Sequence, residues 1–116
     1  MLSFPAEGMG LAPGSLELVV KERRNETVVC ARGEIDMASS VLLTTVLHRV
    51  SRLDAPVRLD LADVEFLDSS SFHAVEAASR TADRLGRALA IGPLSEAVTR
   101  VFKLAAIHGG RTPGLA

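Results

Sequence analysis

The sequence is poor in the residues that nucleic-acid-binding surfaces need. Its 116 residues include no Trp, no Tyr and only four Phe, so the aromatic platforms on which single-stranded nucleic acids stack are missing. The 13 basic and 14 acidic residues leave a net charge of -1, which gives no general attraction for nucleic acid or for an anionic membrane. We therefore expect no nucleic-acid partner and no membrane partner.

Cysteine and long apolar runs are also scarce. Cys30 is the single cysteine, so no disulfide forms within the chain, which fits a reducing compartment. It lies in the apolar run of residues 27–31, where a free cysteine usually acts as a small buried hydrophobe. No run approaches the roughly 18 apolar residues of a membrane span, and no basic segment leads into an apolar one at the start. The expected location is the cytoplasm.

The sequence lacks the common signatures of enzymes. It has no Gly-x-x-x-x-Gly-Lys-Ser/Thr phosphate loop, no Gly-x-Gly-x-x-Gly fingerprint and no Gly-x-Ser-x-Gly nucleophile elbow. The histidines, His48, His73 and His108, are not spaced as metal ligands with cysteines or paired acids. We therefore predict a protein that is not an enzyme and that carries no cofactor.

The pattern of apolar residues predicts one α/β domain, a mixed β-sheet of about four strands with helices packed on it. A hydrophobic content of 47% in a chain of this length is enough for one core. Two β-like runs around a charged turn predict an antiparallel hairpin, and a helix before the third strand predicts a parallel crossover. The predicted strands cover residues 16–21, 27–32, 57–61 and 87–91.

Three helices are predicted from apolar residues at helical spacing. Asp36 is the expected N-cap of the first helix, whose apolar stripe runs from Leu42 to Leu53, and Ser95 is the expected N-cap of the third. The second helix follows a serine triplet and should stop at Gly86. Two interruptions are predicted, a strand break at residues 33–36 and a turn at residues 92–93. We expect a flexible leader at residues 1–15, a domain at 16–107 and a loose tail at 108–116.

The chain changes from strand to helix at Asp68-Ser69-Ser70-Ser71. Asp68 is a capable helix cap, so three serines directly after it leave hydroxyls that capping does not explain. His73 is the histidine close enough to the serines to matter. An acidic turn is expected just before the triplet, and it admits three interpretations: a solvated loop, a recognition surface or a divalent-cation site. The acidic residues around this turn are Asp60, Asp63, Glu65 and Asp68.

Three segments together resemble the STAS domain of bacterial anti-sigma factor antagonists. They are Gly33-Glu34-Ile35-Asp36, Val57-Arg58-Leu59-Asp60-Leu61 and Phe66-Leu67-Asp68-Ser69-Ser70. The segment Ser95-Glu96-Ala97-Val98-Thr99-Arg100-Val101-Phe102 is similar to the third helix of that family. The resemblance covers about residues 16–107, and it implies the STAS fold.

The resemblance also implies a regulatory site. The phosphorylated serine of the family falls on Ser69, with Ser70 and Ser71 as less favoured acceptors, and Asp36 matches a family acid near that serine. The implied partner is an anti-sigma factor that is also a serine kinase of the GHKL type. It binds the unmodified antagonist and thereby frees a sigma factor, and a serine phosphatase restores the phosphorylated form. The predicted partner-binding residues are Asp36, Asp68, Ser69, Ser70, Ser71 and His73.

Departures from the family pattern keep other hypotheses open. Ser71 stands where the family usually has Gly, and we expect it to add an exposed side chain and a third acceptor. Ala106-Ile107 stands where the family tends to have Gly-Leu. One alternative is a non-catalytic structural STAS subunit of a larger transport or stress-sensing complex. Another is a small hydrolase that uses Asp68 and neighbouring acids with a metal.

Overall fold

The computed structural model describes residues 2–5, for their backbone alone, and residues 16–107. This part of the chain contains five strands and three helices. In chain order they are β1 (Leu2–Pro5), β2 (Glu17–Glu22), β3 (Thr27–Ile35), α1 (Met37–Val50), β4 (Val57–Leu67), α2 (Ser69–Arg84), β5 (Leu89–Leu94) and α3 (Glu96–Ile107).

The strands form one mixed sheet in the order β1-β2-β3-β4-β5. β2 pairs antiparallel with β3 across a short turn, in which the Arg23 amide donates to the Glu26 carbonyl at 2.8 Å. β3 and β4 pair parallel, as do β4 and β5, because α1 and α2 carry the chain back across the sheet between them. The predicted α/β class, the hairpin and the parallel crossover are confirmed.

The edge strand β1 was not expected from the sequence. Its residues, Leu2–Pro5, pair antiparallel with β2, with Leu2 opposite Val20 and Pro5 opposite Glu17. The prediction of a flexible leader is therefore wrong for these four residues, and the rest of that segment lies outside the described residues. The sequence of this segment has no strand pattern of its own, but backbone pairing with β2 holds it extended, and an edge strand tolerates proline.

The core lies between one face of the sheet and the helices. Val20, Val29, Leu59 and Ile91 stand directly opposite one another across four strands, and none is more than 2% exposed. Because residues in such a row share a face, the row marks the side that the helices cover. The helices contribute to the same cluster through Leu43, Leu47, Phe72, Val75, Val98 and Phe102.

Two strands run further than the sequence pattern predicted. β3 continues through Gly33, where φ is 102° and the pairing with β4 shifts register, so the expected break is a local irregularity. β4 extends beyond the predicted end at residue 61 to Leu67, so Asp63 and Glu65 also lie in a strand and the predicted acidic turn is absent, whereas Asp60 lies in the strand as predicted. The ends of β3 and β4 pair with each other, from Gly33 opposite Val64 to Ile35 opposite Leu67, and this pairing keeps both segments extended, since an unpaired backbone group inside a sheet is costly.

Other boundaries differ by a few residues. β5 begins at Leu89 and passes through Gly92-Pro93, so the prediction of a turn there is wrong. α1 ends at Val50, and Leu53, expected in its apolar stripe, lies beyond it and is 43% exposed. α2 ends as predicted, with Gly86 in the left-handed conformation at a φ of 73°.

Three further predictions concern Cys30, the C-terminal tail and membrane-spanning segments. Cys30 is half-buried rather than buried, and desolvation raises the pKa of its thiol. The predicted tail and His108 lie outside the described residues. Within the described residues, no helix combines the length and the apolar character that crossing a membrane requires.

Candidate functional site

The site lies where β3 and β4 end side by side. Ile35 and Leu67 are partners in the parallel ladder, and each is the last residue of its strand. An aspartate follows each strand and caps the next helix, Asp36 at α1 and Asp68 at α2. The carboxyl ends of parallel strands are where α/β proteins commonly place their functional residues. Two carboxylates and two helix N-termini are therefore neighbours at this edge.

Asp68 organises the first turn of α2. Its Oδ1 accepts the Ser71 amide at 2.8 Å and the Ser70 hydroxyl at 2.9 Å. Desolvation raises the pKa of Asp68, but hydrogen bonds from Ser71, Ser70 and the Met37 amide together outweigh it, so the pKa lies below its usual value. Asp68 is therefore a charged cap in the neutral pH range, with its carboxylate engaged by its own helix and by the start of α1.

Asp36 caps α1 through a reciprocal pair of bonds with Ser39. Its Oδ1 accepts the Ser39 amide at 2.9 Å, and the Ser39 hydroxyl accepts the Asp36 amide at 3.0 Å. The amide and the hydroxyl of Ser39 both donate to the Asp36 carboxylate and lower its pKa, whereas desolvation and the nearby charge of Asp68 raise it. The charge of Asp68 acts on Asp36, so the two caps give this edge a negative character.

The three serines occupy three different environments. Ser69 is exposed at the first position of α2, and its hydroxyl makes no hydrogen bond within the described residues. Ser70 is half-buried, and its hydroxyl is bound to Asp68. Ser71 is 0% exposed, and its hydroxyl donates to the Ile35 carbonyl at 2.9 Å. That carbonyl also accepts the Asp68 amide at 3.2 Å.

The buried position of Ser71 corrects the prediction that it adds an exposed side chain and a third acceptor. Its hydroxyl joins α2 to the end of β3, and an acceptor that is not exposed cannot meet another protein without local unfolding. This contact joins residues 36 apart in sequence, so no local pattern indicates it. Ser71 therefore stabilises the position of α2 against β3 and is not part of the exposed surface of the site.

Ser69 and His73 lie on one wall of a groove between α2 and α3. The groove has a volume of about 410 Å³, and Leu104 on its far wall is 56% exposed. Its floor includes Phe72, which packs against Phe102 with ring centroids 5.1 Å apart. The lining side chains are Leu67, Ser69, Phe72, His73, Val101, Leu104 and Ala105. The exposed serine thus borders an apolar depression.

Apolar side chains are exposed on α1 next to the second cap. Met37 is 71% exposed and Val41 is 61% exposed, and the two lie four residues apart on one helical face. The Met37 amide faces the Asp68 carboxylate, so this face begins beside the start of α2. Exposed apolar residues grouped in this way are typical of protein-binding surfaces. Met37, Val41 and Leu104 were not expected at this surface from the sequence, because exposure on a helix depends on which face meets the core.

The remaining acidic residues form no candidate metal site. Within residues 2–5 and 16–107, no group of three or more His, Cys, Asp and Glu side chains is placed to hold a metal ion. Asp63 and Glu65 lie on β4, where they border a different surface depression with Arg32 and Arg100. The site at α2 therefore offers an exposed hydroxyl, a negative cap and apolar flanks.

Sequence comparison identifies a family and a relative. The profile of the STAS domain matches residues 17–109. The anti-sigma-B factor antagonist of Bacillus subtilis (strain 168) is 28% identical over 90 residues, which is 78% of this chain and 83% of the relative. The family match, residues 17–109, includes the hairpin, both caps and α3.

Solved structures show the same fold. An anti-sigma factor antagonist from Mycobacterium paratuberculosis superposes with a TM-score of 0.72 at 25% identity, with 84% of each chain covered. The anti-sigma factor antagonist SpoIIAA in its unphosphorylated form superposes with a TM-score of 0.64 at 17% identity, with 79% of this chain and 83% of SpoIIAA covered. At that identity the second match speaks for the fold alone.

Proposed function

The chain belongs to the STAS domain family, and we propose on this premise that it is an anti-sigma factor antagonist switched by phosphorylation of Ser69. One observation carries the choice of residue. Of the three consecutive serines, Ser69 alone is exposed, since Ser70 is bound to Asp68 and Ser71 is buried against Ile35. Ser69 is also the serine that directly follows the motif aspartate, the position that the family resemblance implies.

The proposed partner is an anti-sigma factor that is also a serine kinase of the GHKL type. It transfers the γ-phosphate of ATP to Ser69, so that a bond forms between Oγ and phosphorus while the bond to the β–γ bridging oxygen breaks. ADP leaves, and the hydroxyl proton passes to a base on the kinase. The hydroxyl is well placed as an acceptor because a cap and a tether to β3 hold the helix start on which it sits.

The unmodified surface supports protein binding. Met37 and Val41 lie on the α1 side of Ser69, and Leu104 lies on the α3 side. Apolar contacts of this kind bury surface without demanding paired charges, and interface cores are depleted of charged residues. We propose that the anti-sigma factor docks over this surface and releases its sigma factor, which places the action of the chain in the cytoplasm.

Phosphorylation would oppose docking through charge. A phosphoserine carries about -1.5 to -2 charges, and the first turn of a helix tolerates an anion because its amides are unpaired and its dipole is positive there. The fold should therefore survive. In the complex, the phosphate would be enclosed next to Asp68 and Asp36, and an imperfectly paired buried charge costs several kcal/mol. Each 1.4 kcal/mol is a factor of ten in affinity, so binding would fall by orders of magnitude.

A phosphorylation assay tests the proposal. The chain is incubated with ATP and a candidate anti-sigma factor kinase, and its intact mass is measured. We expect the mass of one added phosphate in the parent chain and in Ser70→Ala, and none in Ser69→Ala. The Ser70 variant is the matched control because it removes the neighbouring hydroxyl from the same turn. A phosphate that persists in Ser69→Ala would refute the assignment.

A binding measurement tests the switch itself. Calorimetry should give a stable complex of the kinase with the unmodified chain and with Ser69→Ala, and a loss of affinity of at least about a hundredfold for the phosphorylated chain. Incubation with a serine phosphatase should restore the first value. Equal affinity for both forms would favour the alternative, a structural STAS subunit of a larger complex.

A further inference from the structure

His73 lies one helical turn after Ser69 on the same face of α2. Residues four apart on a helix are neighbours on its surface, and both side chains line the groove against α3. The His73 side chain is 71% exposed, and its ring meets the edge of the Phe72 ring with centroids 5.7 Å apart. The imidazole is therefore positioned beside the space that a group attached to Ser69 Oγ would enter.

The charged side chains nearest this space are acidic, apart from His73. Asp68 caps the helix next to Ser69, and Asp36 lies close to Asp68. The wall formed by α3 contributes Val101, Leu104 and Ala105, none of which carries charge, and the β4 contribution is Leu67. Among the described residues that line the groove, His73 alone can become positive. A phosphate on Ser69 would thus find two carboxylates on one side and a single imidazole on the other.

Glu76 orients this imidazole. The Nδ1 atom of His73 lies 3.7 Å from Glu76 Oε1, and the same oxygen lies 3.6 Å from Arg80 Nη1. The Glu76 side chain is only 11% exposed, whereas its two partners are largely or half exposed, so the packed carboxylate is the anchor of the group. With Nδ1 turned toward this carboxylate, Nε2 is the ring nitrogen that remains available to another partner. With a second proton, Nε2 becomes a donor for a phosphate oxygen.

We propose that His73 is a positioning residue for phosphorylated Ser69, whose phosphate it holds through a charge-assisted hydrogen bond. The inference rests on the proposed phosphorylation of Ser69 and adds a residue that the family motif does not contain. The contact keeps the phosphate over the groove, where it obstructs docking. The contact requires a protonated imidazole, which donates an N–H to a phosphate oxygen.

The test uses phosphoserine placed at position 69 during translation, so that no kinase is needed. Phosphorus NMR then follows the second ionisation of the phosphate, which falls near about pH 6 in an unperturbed phosphoserine. A protonated His73 stabilises the dianion, so the midpoint should lie lower in the parent phosphoprotein than in His73→Gln. We expect a difference of roughly 0.2 to 0.7 pH units, the range that an exposed ion pair produces, and it should shrink in high salt.

Two further variants control the experiment. His73→Lys keeps a positive charge at the same place and should restore a low midpoint. His48→Gln removes an exposed histidine from α1, which borders a different groove, and should leave the midpoint unchanged. Equal midpoints in the parent and His73→Gln, or an equal shift from His48→Gln, would overturn the proposal. Because the phosphate is installed by translation, a failure of the kinase assay and a failure of this titration are separate results.

Discussion

The junctions β3–α1 and β4–α2 start from the same local pattern and present different surfaces. Each strand ends at an aspartate that caps a helix, and in each helix the third residue is a buried serine whose amide binds that aspartate. Ser39 uses its hydroxyl locally, with Asp36 and the Glu34 carbonyl at 3.2 Å. Ser71 uses its hydroxyl across the sheet, on the Ile35 carbonyl. The β3–α1 junction is therefore held by hydrogen bonds among its own residues, whereas the β4–α2 junction is also bonded to the end of β3.

The first and fourth helical positions differ as well. The exposed first residue is Met37 in α1 and Ser69 in α2, an apolar contact in one case and a hydroxyl in the other. The fourth residue is Ser40 in α1, where it bonds within its own turn, and Phe72 in α2, where it packs against Phe102. An aspartate cap thus specifies where each helix starts, while tertiary contacts decide which side chains of its first turn are exposed.

The largest effect, on phosphorylation, is expected from substitutions at the first positions of α2 and α1. We predict that Ser69→Ala removes phosphorylation completely and that adding Met37→Ser to it does not bring phosphorylation back. The second change recreates an exposed serine directly after a capping aspartate, but without the groove against α3. Intact mass after incubation with kinase and ATP measures the outcome. A phosphate at position 37 would mean that the kinase recognises the local pattern alone.

Substitutions at the fourth helical positions should lower the free energy of unfolding by different amounts in the two junctions. Phe72→Ala should lower the free energy of unfolding by about 3 to 5 kcal/mol, because it opens a cavity beside Phe102. Ser40→Ala should cost less than about 1.5 kcal/mol, because the bond that it removes, to the Met37 carbonyl, is local. Urea denaturation followed by circular dichroism measures both. Similar losses would show that the two first turns are anchored equally.

The smallest effect concerns the shared caps. The pKa values of Asp36 and Asp68 are lowered on folding, so both carboxylates stabilise the fold at pH 7. This contribution is complete above the ordinary value of 3.8 and is lost as the pH falls through the lower values of the folded state. A charged cap is worth roughly 0.3 to 1 kcal/mol.

Paired variants test this acid dependence. Asp36→Asn with Asp68→Asn should be less stable than the parent at pH 7, and should lose less of its stability between pH 5 and the acid limit. Urea midpoints across that range provide the measurement. Parallel pH profiles for the parent and the double variant would contradict the assignment of charged caps to both junctions.

Local hydrogen bonds explain which boundaries were predictable. Asp36, Asp68 and Ser95 were each expected to cap a helix, and each accepts an amide three residues ahead. Such a bond depends only on the identity of the cap and the backbone that follows it, so a short stretch of sequence contains all the information. The glycine stop of α2 at Gly86 was predictable for the same reason.

Pairing between strands explains where the local pattern failed. Gly33 and Gly92 favour breaks in an isolated peptide, yet Gly33 pairs with Val64, and β5 continues beyond Gly92 until Leu94 pairs with Leu61. A ladder on one or both sides stabilises extended backbone at residues that favour turns locally. Asp63 and Glu65, which were expected in a turn, lie in β4 because of the same effect.

The α/β class, the hairpin, the helix starts and the aspartate-serine pattern were predictable from the sequence, because apolar periodicity, turn residues and cap residues are local signals. The exposure of Ser69, the burial of Ser71 and the groove that His73 and Leu104 share result from the packing of the helices on the sheet. Those properties depend on Ile35, 36 residues before Ser71, and on α3, which begins after β5. Exposure is a property of the packed molecule, since a side chain is buried only when another segment covers it.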